Sequence, residues 1–225
     1  MPSSASTPSS RIRARREHRR EEILLAALRA FRERGYHATT LDDIAGRLGI
    51  RNTALYHYFP DKESILYRCH RESLGELDRI LAEARRLAGP RERLTHVIRE
   101  HVRVMIETLE GSPLAFEVTS LSGRRRASII AARDRYEHAV RRIVQEGIRR
   151  GVFRGVDAKV AVFAIMGAVN WIARWYRPGG ALSAGDLGEQ FADQLLGGLD
   201  VSFPATLRHA ARHAGTGAGR SPGGH

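Results

Sequence analysis

Three observations on the 225-residue chain predict an all-α protein of about nine helices. Apolar residues recur at three- and four-residue spacing through nearly the whole middle of the chain, and no run of alternating β-branched residues interrupts them. Helix stop signals fall at short intervals: Gly35, Gly49, Pro60, Gly89-Pro90, Gly151 and the RPGG stretch at 177–180. The two ends, MPSSASTPSS and HAARHAGTGAGRSPGGH, are too poor in apolar residues to bury anything. The predicted organisation is a disordered basic arm over 1–15 and a three-helix domain over 16–62. A larger helical domain over 63–203 and a disordered tail over 204–225 complete it.

Each element follows from local signals. From about Arg16 to Arg34, Ile23, Ala27, Ala30 and Phe31 share one face, and Gly35 supplies a left-handed stop. Thr40-Leu41-Asp42-Asp43 fits a capping box, so a short helix runs from Leu41 to about Leu48. The next runs from Asn52 to Tyr58 and ends before Pro60. Asp61 caps a long helix to about Ala88, whose apolar positions Ile65, Leu66, Cys69, Leu77, Ile80, Leu81, Ala84 and Leu87 keep helical spacing. Gly89-Pro90 breaks it, and Arg91–Glu110 follows. Ser112-Pro113 reads as a cap with proline in the first turn. Arg124–Arg150, a very apolar helix from Asp157 to Tyr176, and a last helix from Ser183 to about Leu199 complete the order.

Charge narrows the function. The formal net charge is +12, from 37 basic and 25 acidic residues, which points to a polyanionic partner. It is concentrated at the ends: Arg11, Arg13, Arg15, Arg16, Arg19 and Arg20 face the single acid Glu17 in the first twenty residues. The tail adds arginines and no acids. The nearly neutral body argues against a protein that coats DNA without sequence preference. Cys69 is the only cysteine, so neither a disulfide framework nor a cysteine-rich metal site is expected. The first twenty residues lack an apolar leader core, and the longest apolar run, 160–169, is too short to span a bilayer. A cytoplasmic protein without a membrane partner is expected. No nucleophile elbow, Gly-rich phosphate loop or HExxH occurs, so no catalytic residues, metal or cofactor are expected and an enzyme is disfavoured.

The stretch TALYHYFPDKESIL (53–66) carries the specific signal. Two short helices, 41–48 and 52–58, are joined only by Gly49-Ile50-Arg51, the spacing of a helix-turn-helix. Ile44, Ala45, Leu48 and Leu55 are expected to pack inward. That leaves Asn52, Thr53, Ala54, Tyr56, His57 and Tyr58 outward, since three adjacent aromatic residues cannot all face a core. Tyrosine hydroxyls and an imidazole on an exposed helix can bond phosphate oxygens and fix register on a duplex. Lys62, one of only two lysines, opens the next helix beside its free N–H groups.

The pattern TTLDDIAGRLGIRNTALYHYFPDKESIL (39–66), with its approach FRERGYHATT, resembles the TetR family of one-component bacterial transcription regulators. The resemblance implies a homodimer on palindromic double-stranded operator DNA, each subunit placing its second short helix in the major groove of a half-site. Carried over by position, Thr40, Tyr56, His57, Tyr58 and Lys62 correspond to phosphate contacts, and Asn52, Thr53 and Ala54 to the residues nearest base edges. Arg51 departs from the pattern, because the family often has serine there. An arginine cannot cap by accepting a hydrogen bond, so it either contacts DNA or leaves the helix start weaker. The basic arm RIRARREHRR either follows the DNA or is a solvated leader.

The rest of the chain reads as an effector-binding and dimerisation domain. Trp171 and Trp175 lie four apart on one helical face, beside Asn170 and Arg174, also four apart. An arginine in an apolar helix needs a partner, water or a ligand. The tryptophans therefore mark either a dimer interface, formed by the helices at about 158–176 and 184–199, or a ligand site that includes Arg177. The NW…WYRPGG…LS segment is also similar to a subgroup of TetR-type repressors of lipid and steroid catabolism that respond to acyl-CoA thioesters. That similarity implies a repressor released by a small effector, with the acyl group between helices and the CoA phosphates near arginines. Arg124, Arg125, Arg126, Arg174 and Arg177 are the candidates on charge. A different hydrophobic ligand, or activation instead of repression, fits the same fold.

Overall fold

The computed structural model describes residues 8–109, 113–177 and 179–201. The expectations for the Ser/Pro-rich start, for Ser112 as a cap and for the tail fall on or extend into residues outside that set. The described residues form eight α-helices and no extended strand, in line with the all-α prediction. They are α1 (Pro8–Arg34), α2 (Leu41–Arg47), α3 (Asn52–Tyr56), α4 (Lys62–Ala84), α5 (Pro90–Arg103), α6 (Gly123–Arg149), α7 (Ala158–Trp175) and α8 (Ala184–Gly197). A π-helical turn over Val104–Thr108 extends α5, and a 3₁₀ segment over Pro113–Ser120 leads into α6.

The capping signals read from the sequence set these boundaries. Thr40 accepts from the Asp43 backbone N–H at 3.1 Å, and Asp43 accepts from the Thr40 N–H at 2.8 Å, a closed capping box. Asp61 and Ser183 cap α4 and α8 in the same reciprocal way, and Asp157 caps α7. Gly35 and Gly49, with φ of 80° and 63°, occupy the left-handed region that ends α1 and turns the chain from α2 into α3.

Four boundaries differ from expectation, one of them the end of α4, which stops at Ala84 and not near Ala88. The residues from Pro8 to Arg15, expected as a disordered arm, are the first turns of α1. No proline or glycine lies between Ser9 and Arg34. Pairs at helical spacing, Arg20–Glu17 at 3.2 Å and Arg19–Glu22 at 2.6 Å, support the exposed arginine-rich face. α3 is shorter than expected, because Tyr58 and Phe59 donate backbone N–H bonds to the Leu55 carbonyl in a closing turn before Pro60. The helix from Pro90 does not reach Glu110 as one α-helix; the Leu109 N–H bonds the Val104 carbonyl, one residue wider than α.

One contiguous core runs from Ile23 in α1 to Leu199 behind α8. α1, α2, α3 and the start of α4 enclose Phe31, Ile44, Leu55, Ile65 and Leu66. In the larger part, α8 lies closely along α5. A β-carbon on Gly188 would stand 3.2 Å from the Arg99 carbonyl oxygen, and Arg99 pairs with Glu189 at 2.7 Å.

Candidate functional site

Among the described residues, two places are candidates for a functional site: the outer face of α2–α3 and a cavity between α4, α5, α6 and α7.

On α3, Leu55 points into the core, which turns its neighbours outward. Tyr56 is 51% exposed, Arg51, Thr53 and His57 are exposed, and Asn52, Ala54 and Tyr58 are half-buried. The stretch therefore presents two phenol hydroxyls, an imidazole and a guanidinium on one surface. Arg51 occupies the cap position of α3 without making a side-chain cap bond. Asn52 departs in part from expectation, because its Oδ1 is buried and has no hydrogen-bond partner. Thr40 is exposed at the start of α2, where its hydroxyl also donates to Asp43 Oδ2 at 2.7 Å. These bonds hold the Asp43 carboxyl below the usual carboxylate range.

Lys62 is engaged within the chain: its Nζ donates to the carbonyls of Tyr36, His37 and Thr39 at 2.7, 3.2 and 2.6 Å. It also lies 4.5 Å from the centre of the Tyr36 ring. Three donors meet three acceptors, so the charge ties α4 to the loop after α1. Burial lowers its pKa from the usual lysine value.

Beyond Lys62, the first residues of α4 are bonded to the start of α6. Glu63 accepts from the Ser122 backbone N–H at 2.8 Å and from its hydroxyl at 3.0 Å. Arg125 pairs with Asp61 at 3.1 Å and lies 3.6 Å from Glu63. Partial burial raises the Asp61 pKa, but its bonds from Ser64 and Arg125 outweigh that and lower it. Of the arginine triplet offered for phosphate binding, Arg125 is thus engaged within the chain, while Arg124 and Arg126 are exposed.

The cavity, of about 200 Å³, has largely apolar walls from Leu74, Leu77, Met105, Leu114, Phe163 and Met166. Its polar groups are His70, His101, Arg133, Tyr136 and Asn170, with Ser73, Asp134 and Glu137. Burial, with Arg133 nearby, depresses the pKa of His70 to about 3 and of His101 to about 4, so both imidazoles are neutral at neutral pH. Of the ligand residues expected from the sequence, only Asn170 lines this cavity. Trp171 and Trp175 stand on the outside of α7, 57% and 44% exposed. Trp171 meets Phe116 edge-on, Arg174 lies 4.8 Å over the same ring, and Trp175 stacks on Phe191. Arg177 is exposed and donates to the Tyr176 carbonyl.

His70, His101, Arg133 and Tyr136 escaped the sequence reading. His70 follows Leu66 and precedes Leu74 by one helical repeat each, and His101 follows Val97 in the same way. Polar residues in register with an apolar stripe were the available signal. Among the described residues no group of three side chains suits a metal ion, and no helix is long and apolar enough to cross a membrane.

With this geometry in place, comparison with known proteins gives a consistent result. The profile described as bacterial regulatory proteins, tetR family, matches residues 23–69, and that of the tetracyclin repressor-like C-terminal domain matches 87–199. The HTH-type transcriptional repressor KstR2 of Mycolicibacterium smegmatis is 32% identical over 192 residues, covering 82% of this chain and 92% of that protein. The structure of the ketosteroid transcriptional regulator KstR2 of Mycobacterium tuberculosis superposes with a TM-score of 0.75 at 31% identity. It covers 81% of this chain and 95% of the other. AibR, solved in complex with isovaleryl coenzyme A and operator DNA, gives 0.70 at 29% identity over 81% and 98% of the two chains.

Proposed function

Because the chain belongs to the TetR family of bacterial regulatory proteins, we propose that it is a DNA-binding transcriptional repressor released from its operator by an acyl-CoA thioester. Membership makes it a regulator and not an enzyme. The effector class is the further step, and the observation that carries it is the cavity. It lies between α4 and α6, helices that are bonded to each other beside the DNA-binding unit. A cavity of about 150 Å³ lined by apolar side chains accepts benzene. One of about 200 Å³ suits a short, branched or single-ring acyl group better than a four-ring steroid. The AibR complex, with a coenzyme A thioester of a short branched acid, supports that class.

In this reading the operator is held by a homodimer. The exposed apolar residues Val160, Phe163, Trp171 and Trp175 follow one side of α7 and, with α8, form the surface expected to be covered by the second copy. Asn170 contacts the ligand from inside. Arg174 and Arg177 are exposed at the same helix end, available to the coenzyme's nucleotide part. Thr40, Arg51, Thr53, Tyr56, His57 and Tyr58 contact the duplex, and the arginine-rich first turns of α1 add salt-dependent affinity.

Release follows from a population shift. A dimer on DNA keeps its recognition helices one helical turn apart, about 34–36 Å. An acyl group entering beside α6 favours an arrangement in which α6 moves. The bonds from Ser122 and Arg125 to Glu63 and Asp61 carry that movement to the start of α4. The recognition helices then leave operator spacing.

The test is fluorescence anisotropy on a labelled duplex from upstream of the protein's own gene, with unlabelled competitor DNA at about physiological salt. Release by a short-chain acyl-CoA, but by neither free CoA nor the free acid, is the expected result. A specific complex that no thioester disturbs would leave the regulator and remove the acyl-CoA effector.

A further inference from the structure

Part of the cavity wall is polar in a way that a hydrocarbon ligand would not use. His70 from α4, His101 from α5 and Tyr136 from α6 all line it, 2%, 5% and 4% exposed. The Tyr136 hydroxyl lies 3.3 Å from His101 Nδ1, and the two rings meet edge to face at 5.4 Å. His70 Nε2 is buried against the cavity and has no hydrogen-bond partner. Arg133, also on the cavity wall, is close enough to both imidazoles for its charge to act on each. Its guanidinium offers five N–H donors in a flat fork.

A buried polar nitrogen without a partner is uncommon in folded proteins, and a guanidinium in a mostly apolar cavity is a poor neighbour for an alkyl terminus. The acidic side chains of the lining do not supply the missing acceptor at His70. Glu137 is bonded to Arg141 at 2.9 Å, and Asp134 is exposed to solvent. With its proton on Nε2, a neutral His70 is a donor, and an imidazole N–H together with a guanidinium can match the two oxygens of a carboxylate.

We propose that the effector carries a carboxylate on the group that enters this cavity, bound by Arg133 and His70, so that the preferred ligand is an ω-carboxyacyl thioester or a related carboxylic acid. This rests on reading the cavity as the effector site. It adds a selectivity that the acyl-CoA assignment does not contain: plain acyl chains of the same length are discriminated against.

Two isosteric probes, cyclohexanecarboxylate and cyclohexanecarboxamide, test it by calorimetry on the full-length protein. The carboxylate is expected to bind at least about tenfold more tightly, about 1.4 kcal/mol. Arg133→Met, its fold checked by circular dichroism, should abolish the difference, and Arg133→Lys, which keeps the charge, should retain part of it. Equal or tighter binding of the amide, no binding of the carboxylate, or a preference that survives in Arg133→Met would each overturn the proposal. If Arg133→Met does not fold, the wild-type comparison and Arg133→Lys still decide it. A second arm compares hexanoyl-CoA with adipoyl-CoA in releasing operator DNA. Equal release by the two would leave the thioester reading standing and sink the carboxylate. A clear carboxylate preference with no release by either thioester would do the reverse.

Discussion

The Lys62 ammonium lies 2.6 Å from the carbonyl oxygen of Thr39, the residue just before the α2 cap, and reaches the Tyr36 and His37 carbonyls as well. The side chain thereby fixes the loop between α1 and α2 against α4. It ties that loop, which leads into the helix-turn-helix, to the start of α4. Lys62→Met should therefore lower stability by about 1–3 kcal/mol, since three carbonyls lose a charged donor. It should also leave the slope of log affinity against log salt unchanged, whereas loss of a phosphate-binding lysine reduces that slope by about one. A reduced slope with unchanged melting would return Lys62 to the DNA contacts.

Adjacent residues on α3 face opposite ways, and substitutions separate their effects. Tyr56 projects into solvent, so Tyr56→Phe should cost about 1 kcal/mol of operator affinity per half-site through the lost hydroxyl bond. Dimerisation and melting temperature should not change. Leu55 is fully buried, so Leu55→Ala should lose about 2–5 kcal/mol of folding stability. Anisotropy and thermal melts on the same two variants check both halves. Unchanged affinity in Tyr56→Phe removes that hydroxyl from the contact list.

The fold of the helix-turn-helix was legible because its signals are local. The Thr40–Asp43 capping box, the turn at Gly49, and the buried Leu55 beside the exposed Tyr56 can each be read within four residues. The bonds of Lys62 within the chain were not legible, because its partners lie more than twenty residues back, in a loop whose path no local pattern gives. The first turns of α1 were missed for a different reason: composition suggested an unstructured arm, while arginine is a good helix former and Glu17 and Glu22 supply pairs at helical spacing. The cavity was the least legible. His70, His101 and Arg133 sit on three helices, and only the packing of α4, α5 and α6 brings them together. Trp171 and Trp175 drew attention by residue type, yet they face away from it.

The buried histidines set the acid side of the stability profile. Their folded values, about 3 and about 4, lie below the ordinary histidine value of 6.5, so the unfolded chain takes up protons first. Stability should therefore fall as pH drops from about 6.5, by up to about 1.4 kcal/mol per pH unit for each group, and the loss should level off below about 4 for His101 and about 3 for His70. Asp43 and Asp186, held low by their cap bonds, add stability that is lost only as pH falls further, from the ordinary aspartate value of 3.8 downward. Melting temperature measured from pH 7 to pH 4 in the wild type and in a His70→Leu, His101→Phe double variant checks this. The double variant should show a much shallower slope over that range, and an equal slope would place the acid sensitivity elsewhere.

Arg125 offers the most direct test of how the two parts communicate. Its pairs with Asp61 and Glu63 are partly exposed, so Arg125→Ala should change folding stability by less than about 1 kcal/mol. α6 nevertheless carries Arg133 and Tyr136 on the cavity wall two to three turns after Arg125, on one continuous helix. If movement of α6 reaches α4 through Arg125 and Ser122, the variant should bind operator and effector normally when each is alone. The ratio of operator Kd with and without a saturating effector should shrink by a factor corresponding to about 0.5–2 kcal/mol. Linkage requires the same loss when effector affinity is measured with and without DNA. Glu63→Gln removes the charge that pairs with Arg125 and halves the bonding to Ser122, so it should weaken coupling in the same direction, and the double variant should lose less than the sum of the two. An unchanged ratio in both single variants would show that α6 acts on the recognition helices by another contact, of which the His37–Ser120 approach at 3.3 Å is the next to substitute.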